Sequence, residues 1–195
     1  VLLSGSGRTL ENLLEQIASG LLDASVEQVV SSRDDVRGVL LAKRAGIPVV
    51  VLPPVGRPLT DWSNAIFTAC RLAGADLVVM AGFLHLVEIP ADFAGRVINI
   101  HPALLPAFGG KGFHGMHVHR AVVARGCTVS GCTVHLVDNE YDHGRILLHK
   151  TVPVLRGVRD PAGGHQPHRR RRPFLTDEQL TVESTFDSRS AGDIS

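Results

Sequence analysis

A doubly wound α/β fold, with a mostly parallel sheet and an antiparallel C-terminal hairpin, is the class this sequence predicts. Short aliphatic runs alternate with helically spaced apolar residues from Val1 to His101. These runs lack the in/out polar alternation of half-exposed strands, so their strands are covered on both faces. Beyond Thr128 the alternation with helices stops, and two extended stretches flank a polar loop.

The elements follow in order. Val1-Leu2-Leu3 ends a buried strand, and Ser4 to Thr9 is a turn. Leu10, Leu13, Leu14 and Ile17 recur at helical spacing, with Gly20 as the stop. Val26 to Val30 is a second strand. Val39 to Ala45 is a helix closed by Gly46, and Pro48 to Leu52 is a third strand. Residues 61–73 are helical, Asp76 to Ala81 is a fourth strand and Val97 to Ile100 a fifth. His117 to Arg125 is a helix. Thr128 to Val137 and Ile146 to Val154 form the antiparallel pair. The chain begins at Val1 within a predicted strand, which implies that the strand's first residues lie upstream.

A hydrophobic fraction of 44% supports one packed domain, and 5% aromatics leaves the packing to Val, Leu and Ile. Residues 1–155 carry 13 Lys plus Arg and 13 Asp plus Glu, so this body is neutral and shows no electrostatic signature for nucleic acid or an anionic membrane. No apolar run approaches a membrane span. Cys70, Cys127 and Cys132 form no C-x-x-C pair, which fits reduced thiols and a cytoplasmic protein. After Leu155 the composition breaks. Residues 156–173 are rich in Gly, Pro, His and Arg, including Arg169 to Arg172, and the remainder is mostly polar. Residues 156–195 are therefore expected to form a poorly ordered tail on a domain spanning 1–155. No aromatic residues interleave the arginine run, so it reads as solvated.

The segment Asn99-Ile100-His101-Pro102-Ala103-Leu104-Leu105-Pro106 concentrates the chemistry. Two residues apart on a strand, Asn99 and His101 share a face. Pro102 donates no N–H and ends the ladder. An amide and an imidazole side by side at a strand end suit acyl transfer, which needs an oxyanion partner and a proton shuttle. Gly5-Ser6-Gly7 lies between a strand and a helix, where backbone N–H groups and the helix dipole favour an anion. It is neither a full G-x-G-x-x-G fingerprint nor a P-loop. Asp138 to Arg145 holds three carboxylates without the spacing of a calcium loop. One of them, Asp142 before Gly144, could fold over a strand end and favour a charged His101. His114, His117 and His119 match no zinc pattern, and no metal is expected. His85 and His135, in apolar contexts, read as hydrogen-bonded core histidines.

Taken together, Ser4-Gly5-Ser6-Gly7-Arg8-Thr9-Leu10, Ala81-Gly82-Phe83-Leu84, Asn99 to Pro106, and Gly131-Cys132-Thr133-Val134-His135 running into Asp138 to Gly144 resemble the folate-dependent formyltransferases. The resemblance spans residues 1 to about 155. It implies a Rossmann-like formyltransferase fold and transfer of a formyl group from 10-formyltetrahydrofolate to glycinamide ribonucleotide in purine synthesis. By position it implies Asn99, His101 and Asp142 as the catalytic trio. The Gly7-Arg8-Thr9 turn would hold the ribonucleotide phosphate. Leu84, His85, Leu86 and Val87 would line the folate pocket together with Asn99 and the Asp138, Asn139, Glu140, Tyr141, Asp142 loop. Arg57 matches a folate-contacting arginine. The implied partners are small molecules, with neither nucleic acid nor membrane, and the protein a monomer or homodimer. Two alternatives stay open: a formyltetrahydrofolate hydrolase using water as nucleophile, and an inactive folate- or nucleotide-binding remnant. A methionyl-tRNA formyltransferase would need an RNA-binding domain, for which a neutral body with an arginine-rich tail is a poor substitute. Beyond Leu155 the resemblance and the hydrophobic periodicity end together, which suggests a shifted reading frame. Translation of the encoding DNA in the other two frames tests that idea, and finding no family-like helix in either would reject it.

Overall fold

A computed structural model describes residues 1–154 of the chain, so the expectations for residues 156–195 lie outside the described residues. Seven strands form one sheet: β1 (Leu2–Leu3), β2 (Val29–Ser31), β3 (Val49–Val51), β4 (Val78–Met80), β5 (Val97–His101), β6 (Val129–Leu136) and β7 (Ile146–Pro153). Their order is β3-β2-β1-β4-β5-β6-β7. The first five run parallel, whereas β6 pairs antiparallel with β5, and β7 with β6. The helices are α1 (Arg8–Ala18), α2 (Arg37–Arg44), α3 (Leu59–Leu72) and α4 (Met116–Ala124). A 3₁₀ turn, Ala91–Phe93, precedes β5 and has no counterpart among the expected elements.

Alternation along the strands divides the core into two layers. Leu2 and Val30 point toward α3, where they meet Trp62, Ile66 and Phe67 together with Phe93. Leu3 and Val29 point the other way, toward Leu10 of α1 and Val39 and Ala42 of α2. Burial on both faces explains why these strands read as unbroken aliphatic runs. The β2 ladder starts at Val29, later than expected, because its pairing with β3 begins there, opposite Val49.

Helix α1 begins two residues earlier than its apolar spacing suggests. Gly7, at φ 75°, turns the chain through the left-handed region and makes Arg8 and Thr9 part of the helix. Gly7 also lies against α2: a Cβ there would come within 2.5 Å of the Gly38 Cα. The Gly38 N–H donates to the Gly5 carbonyl at 3.1 Å, tying the turn to the start of α2. Chain order reverses between β1 and β4, and in open α/β sheets the crevice at such a point lies beyond the strands' carboxyl ends. Gly7→Ala combines positive φ with a backbone collision and should cost about 1–3 kcal/mol. Urea unfolding checks this, and an unchanged midpoint would show that the turn can move away from α2.

Candidate active site

A cavity of about 420 Å³ occupies the crevice that the topology places there. Three parallel strand ends supply its walls. The connection after β1 contributes Gly7, Arg8 and Thr9, that after β4 contributes Leu84 to Val87, and β5 itself contributes Asn99 and His101. Ser4 joins two of these walls, because its hydroxyl accepts from Ser32 Oγ at 2.7 Å and from the Leu84 N–H at 3.2 Å. The volume suits a ligand of small-molecule size.

The polar centre is built around one carboxylate. Asp142 Oδ1 lies 3.4 Å from His101 Nδ1 and accepts from Asn99 Nδ2 at 3.3 Å, while its Oδ2 accepts from the Gly110 N–H at 2.9 Å. Burial pushes the carboxyl toward its neutral form. The polar groups that face it, His101 foremost, together with the charge of His101, more than offset this and hold it well below the usual carboxylate range. His101, 3% exposed, has its other nitrogen 2.9 Å from the Phe108 carbonyl. Both ring nitrogens thus face acceptors, an arrangement that two N–H groups satisfy together.

His135 completes the cluster. It stands directly across the ladder from Asn99 and is 1% exposed. Its Nδ1–H donates to the Leu136 carbonyl at 2.7 Å, which leaves Nε2 to accept from Asn99 Nδ2 at 3.1 Å. Both protons of the Asn99 amide are therefore committed, one to His135 and one to Asp142. The atom of Asn99 left for a ligand is its carbonyl oxygen.

The loop bearing Asp142 is held at several points. Asp138 Oδ2 meets His143 Nδ1 at 2.8 Å, and its Oδ1 accepts from the Glu140 N–H at 2.9 Å. Asn139 Oδ1 accepts from the Ile89 N–H at 2.9 Å. Asp142 itself sits at φ 53°, a conformation an aspartate tolerates better than a bulky residue. Gly109 lets the facing loop approach, since a Cβ there would fall 3.2 Å from the Asp142 Cβ and 2.6 Å from Leu105.

The expected residues separate into two groups. Gly7, Arg8, Thr9, Leu84, His85, Leu86, Val87, Asn99, His101, Glu140, Tyr141 and Asp142 all border the one cavity. Asp138 and Asn139 do not; their side chains are spent on holding the loop. Arg57 does not either, because the Val55-Gly56 turn carries it into solvent. Two further residues escaped the sequence. His135 is the hydrogen-bonded buried histidine that its apolar context suggests, yet it also contacts the centre. Asn12, on α1, is 3% exposed and borders the cavity, and among the described residues neither of its amide atoms has a hydrogen-bond partner. Among the described residues no group of three or more His, Cys, Asp or Glu side chains is placed to hold a metal ion.

Residues 1–161 match the family model described as Formyl transferase. The chain belongs to the formyl transferase family. The chloroplastic phosphoribosylglycinamide formyltransferase of Arabidopsis thaliana is 41% identical over 159 residues, 80% of this chain and 54% of that protein. The phosphoribosylglycinamide formyltransferase of Mycobacterium tuberculosis is 41% identical over 160 residues, 80% of this chain and 71% of that protein. Glycinamide ribonucleotide transformylase 1 from Symbiobacterium toebii superposes with a TM-score of 0.72 at 37% identity, covering 80% of this chain and 72% of its own. The chain spans about half the length of the plant relatives it matches, 54% and 51%.

In this formyl transferase, a carboxyl depressed by folding stabilises the native state above its ordinary value of 3.8, and the gain fades as pH falls below that value. Asp142→Asn should be less stable than the parent by about 1–3 kcal/mol near neutral pH. That gap should shrink on acidification to about pH 3. Urea midpoints at the two pH values test this, and a constant gap would mean that the charge of Asp142 contributes nothing.

Proposed function

We propose that this protein transfers the formyl group of 10-formyltetrahydrofolate to the amine of glycinamide ribonucleotide. The observation that carries this reading is the convergence of Asn99, His101 and Asp142 at one end of a cavity whose other wall is the Gly7-Arg8-Thr9 turn. An amine acceptor bearing a phosphate would put its phosphate at the start of α1, where backbone N–H groups and the helix dipole favour an anion. The apolar side chains of Leu84, Leu86 and Val87 suit the flat ring of the formyl donor. The Glu140-Tyr141-Asp142 stretch borders the same cavity.

The chemistry follows from the cluster. The acceptor amine bonds to the formyl carbon and the formyl oxygen becomes an oxyanion. His101 offers its Nε2–H to that oxygen, which takes the place of the Phe108 carbonyl. Asp142 fixes the ring from the other nitrogen and stabilises the positive charge it carries. The Asn99 carbonyl accepts an N–H of the attacking amine and aims its lone pair. The bond from carbon to the folate nitrogen then breaks, that nitrogen gains a proton, and the amine gives one up. Alignment of the two substrates contributes up to about 7–11 kcal/mol in ideal cases. His135 acts through Asn99 and is a positioning residue. The free thiols of Cys70, Cys127 and Cys132 suit a reducing compartment such as the cytoplasm.

A hydrolase would use water in place of the amine and would have no use for the anion-favouring turn, which is why the transferase reading is preferred. Incubating the protein with 10-formyltetrahydrofolate and each acceptor in turn, while following tetrahydrofolate release, tests the choice. Turnover is expected only with glycinamide ribonucleotide. Equal release in water alone would establish the hydrolase, and binding without release the inactive remnant. His101→Ala should lower kcat by about 10²–10⁴-fold. His135→Leu should lower kcat less and leave the KM for the ribonucleotide near the parent value.

A further inference from the structure

Glu11 lies in the first turn of α1, beside the turn that borders the cavity. Its charge helps the helix but opposes any anion bound at the same end. Arg37, the first residue of α2, meets that carboxylate. Its Nη2 pairs with Glu11 Oε1 at 2.5 Å, and its Nη1 donates to the Ser6 carbonyl at 3.2 Å. The packing of Gly38 on Gly7 and its bond to the Gly5 carbonyl bring Arg37 to this place. The hydrogen bond from Arg37 is the main reason the Glu11 carboxyl lies below its ordinary range, so the pair stays charged at neutral pH. A second feature of the same helix points to a ligand. Asn12, almost wholly buried at the cavity wall, has both amide atoms without a partner among the described residues. Buried polar groups are ordinarily satisfied, and a polar ligand is the partner this location offers.

We infer that Arg37 is a positioning residue for anion binding at α1: it neutralises Glu11 and fixes the Ser6 carbonyl, so that the turn presents donors, and no uncancelled carboxylate, to the phosphate. The inference rests on the phosphate subsite of the proposed function and adds the residue that sets its strength. Arg37 touches neither substrate. Its effect is confined to the affinity for the phosphate-bearing one.

The test uses the full chain as the parent, Arg37→Ala, Glu11→Gln and the double variant, each confirmed folded by its unfolding midpoint. Arg37→Ala should raise the KM for glycinamide ribonucleotide about three- to tenfold. Its kcat and its KM for the formyl donor should change by less than about twofold, since the pair lies outside the reacting cluster. Glu11→Gln should bind the ribonucleotide at least as well as the parent. The double variant should return to within about twofold of the parent, the restoration expected when an uncancelled charge is the cause. An unchanged KM in Arg37→Ala, or a double variant as weak as the single, would overturn the inference. Titration of the four proteins with ribose 5-phosphate and with inorganic phosphate separates this from the choice of acceptor. If the parent turns over no glycinamide ribonucleotide yet binds ribose 5-phosphate with the same pattern, the acceptor is wrong and Arg37 stands. Normal turnover without the pattern removes Arg37 alone, and neither turnover nor phosphate binding removes both.

Discussion

The half-buried carboxylate of Asp142 is the point on which the site depends. It touches both β5 side chains and the loop around Gly110. A charged carboxylate in such a place is tolerated only because its oxygens are supplied with donors. The surrounding backbone accommodates this: Asp142 takes a left-handed conformation, Gly109 leaves room for its Cβ, and Gly144 comes so close to the Leu136 carbonyl that a Cβ there could not fit. Without the carboxylate, His101 and the Asn99 amide would each lose an acceptor.

The fold was largely legible because its strongest signals are local. Unbroken aliphatic runs mark strands covered on both faces. The loss of helical alternation after Thr128 marks the change to antiparallel pairing. The shared face of Asn99 and His101 follows from strand geometry alone. Their meeting with Asp142 is different, since it depends on a loop more than forty residues away in sequence. Position within a family motif implied that contact; periodicity could not. His135 illustrates the remaining gap. Its apolar neighbours announce a buried histidine, but only the ladder register, which sets it opposite Asn99, shows that it meets one of the amide's protons. Arg57 lies away from the cavity for the opposite reason. A matching residue type in a connecting turn says nothing of where the turn points.

The two halves of the sheet do different work. The parallel half delivers three loops to one edge, as any doubly wound sheet does at its reversal of strand order. It supplies walls: the turn before α1, the Leu84 to Val87 stretch and the end of β5. The antiparallel half supplies the loop carboxylate that reaches those walls, Asp142. Strand β6 lies beside β5 and runs the other way, so it leaves the sheet level with Val97, where the Val137 N–H meets the Val97 carbonyl at 2.8 Å. That is four residues below His101, about 13 Å along a strand.

The connection to β7 must therefore turn back over the sheet to bring Asp142 up to the imidazole. The irregularity between Val134 and His135, the positive φ at Asp142 and the close approach of Gly144 to β6 are the local means of that return. Asp138 and Asn139 belong to the same account. Their side chains face the loop's own backbone, His143 and Ile89, and not the cavity, because the returning segment has no strand partners of its own to hold it. What the Asp138 and Asn139 side chains provide is a fixed distance between a loop carboxylate and a strand imidazole.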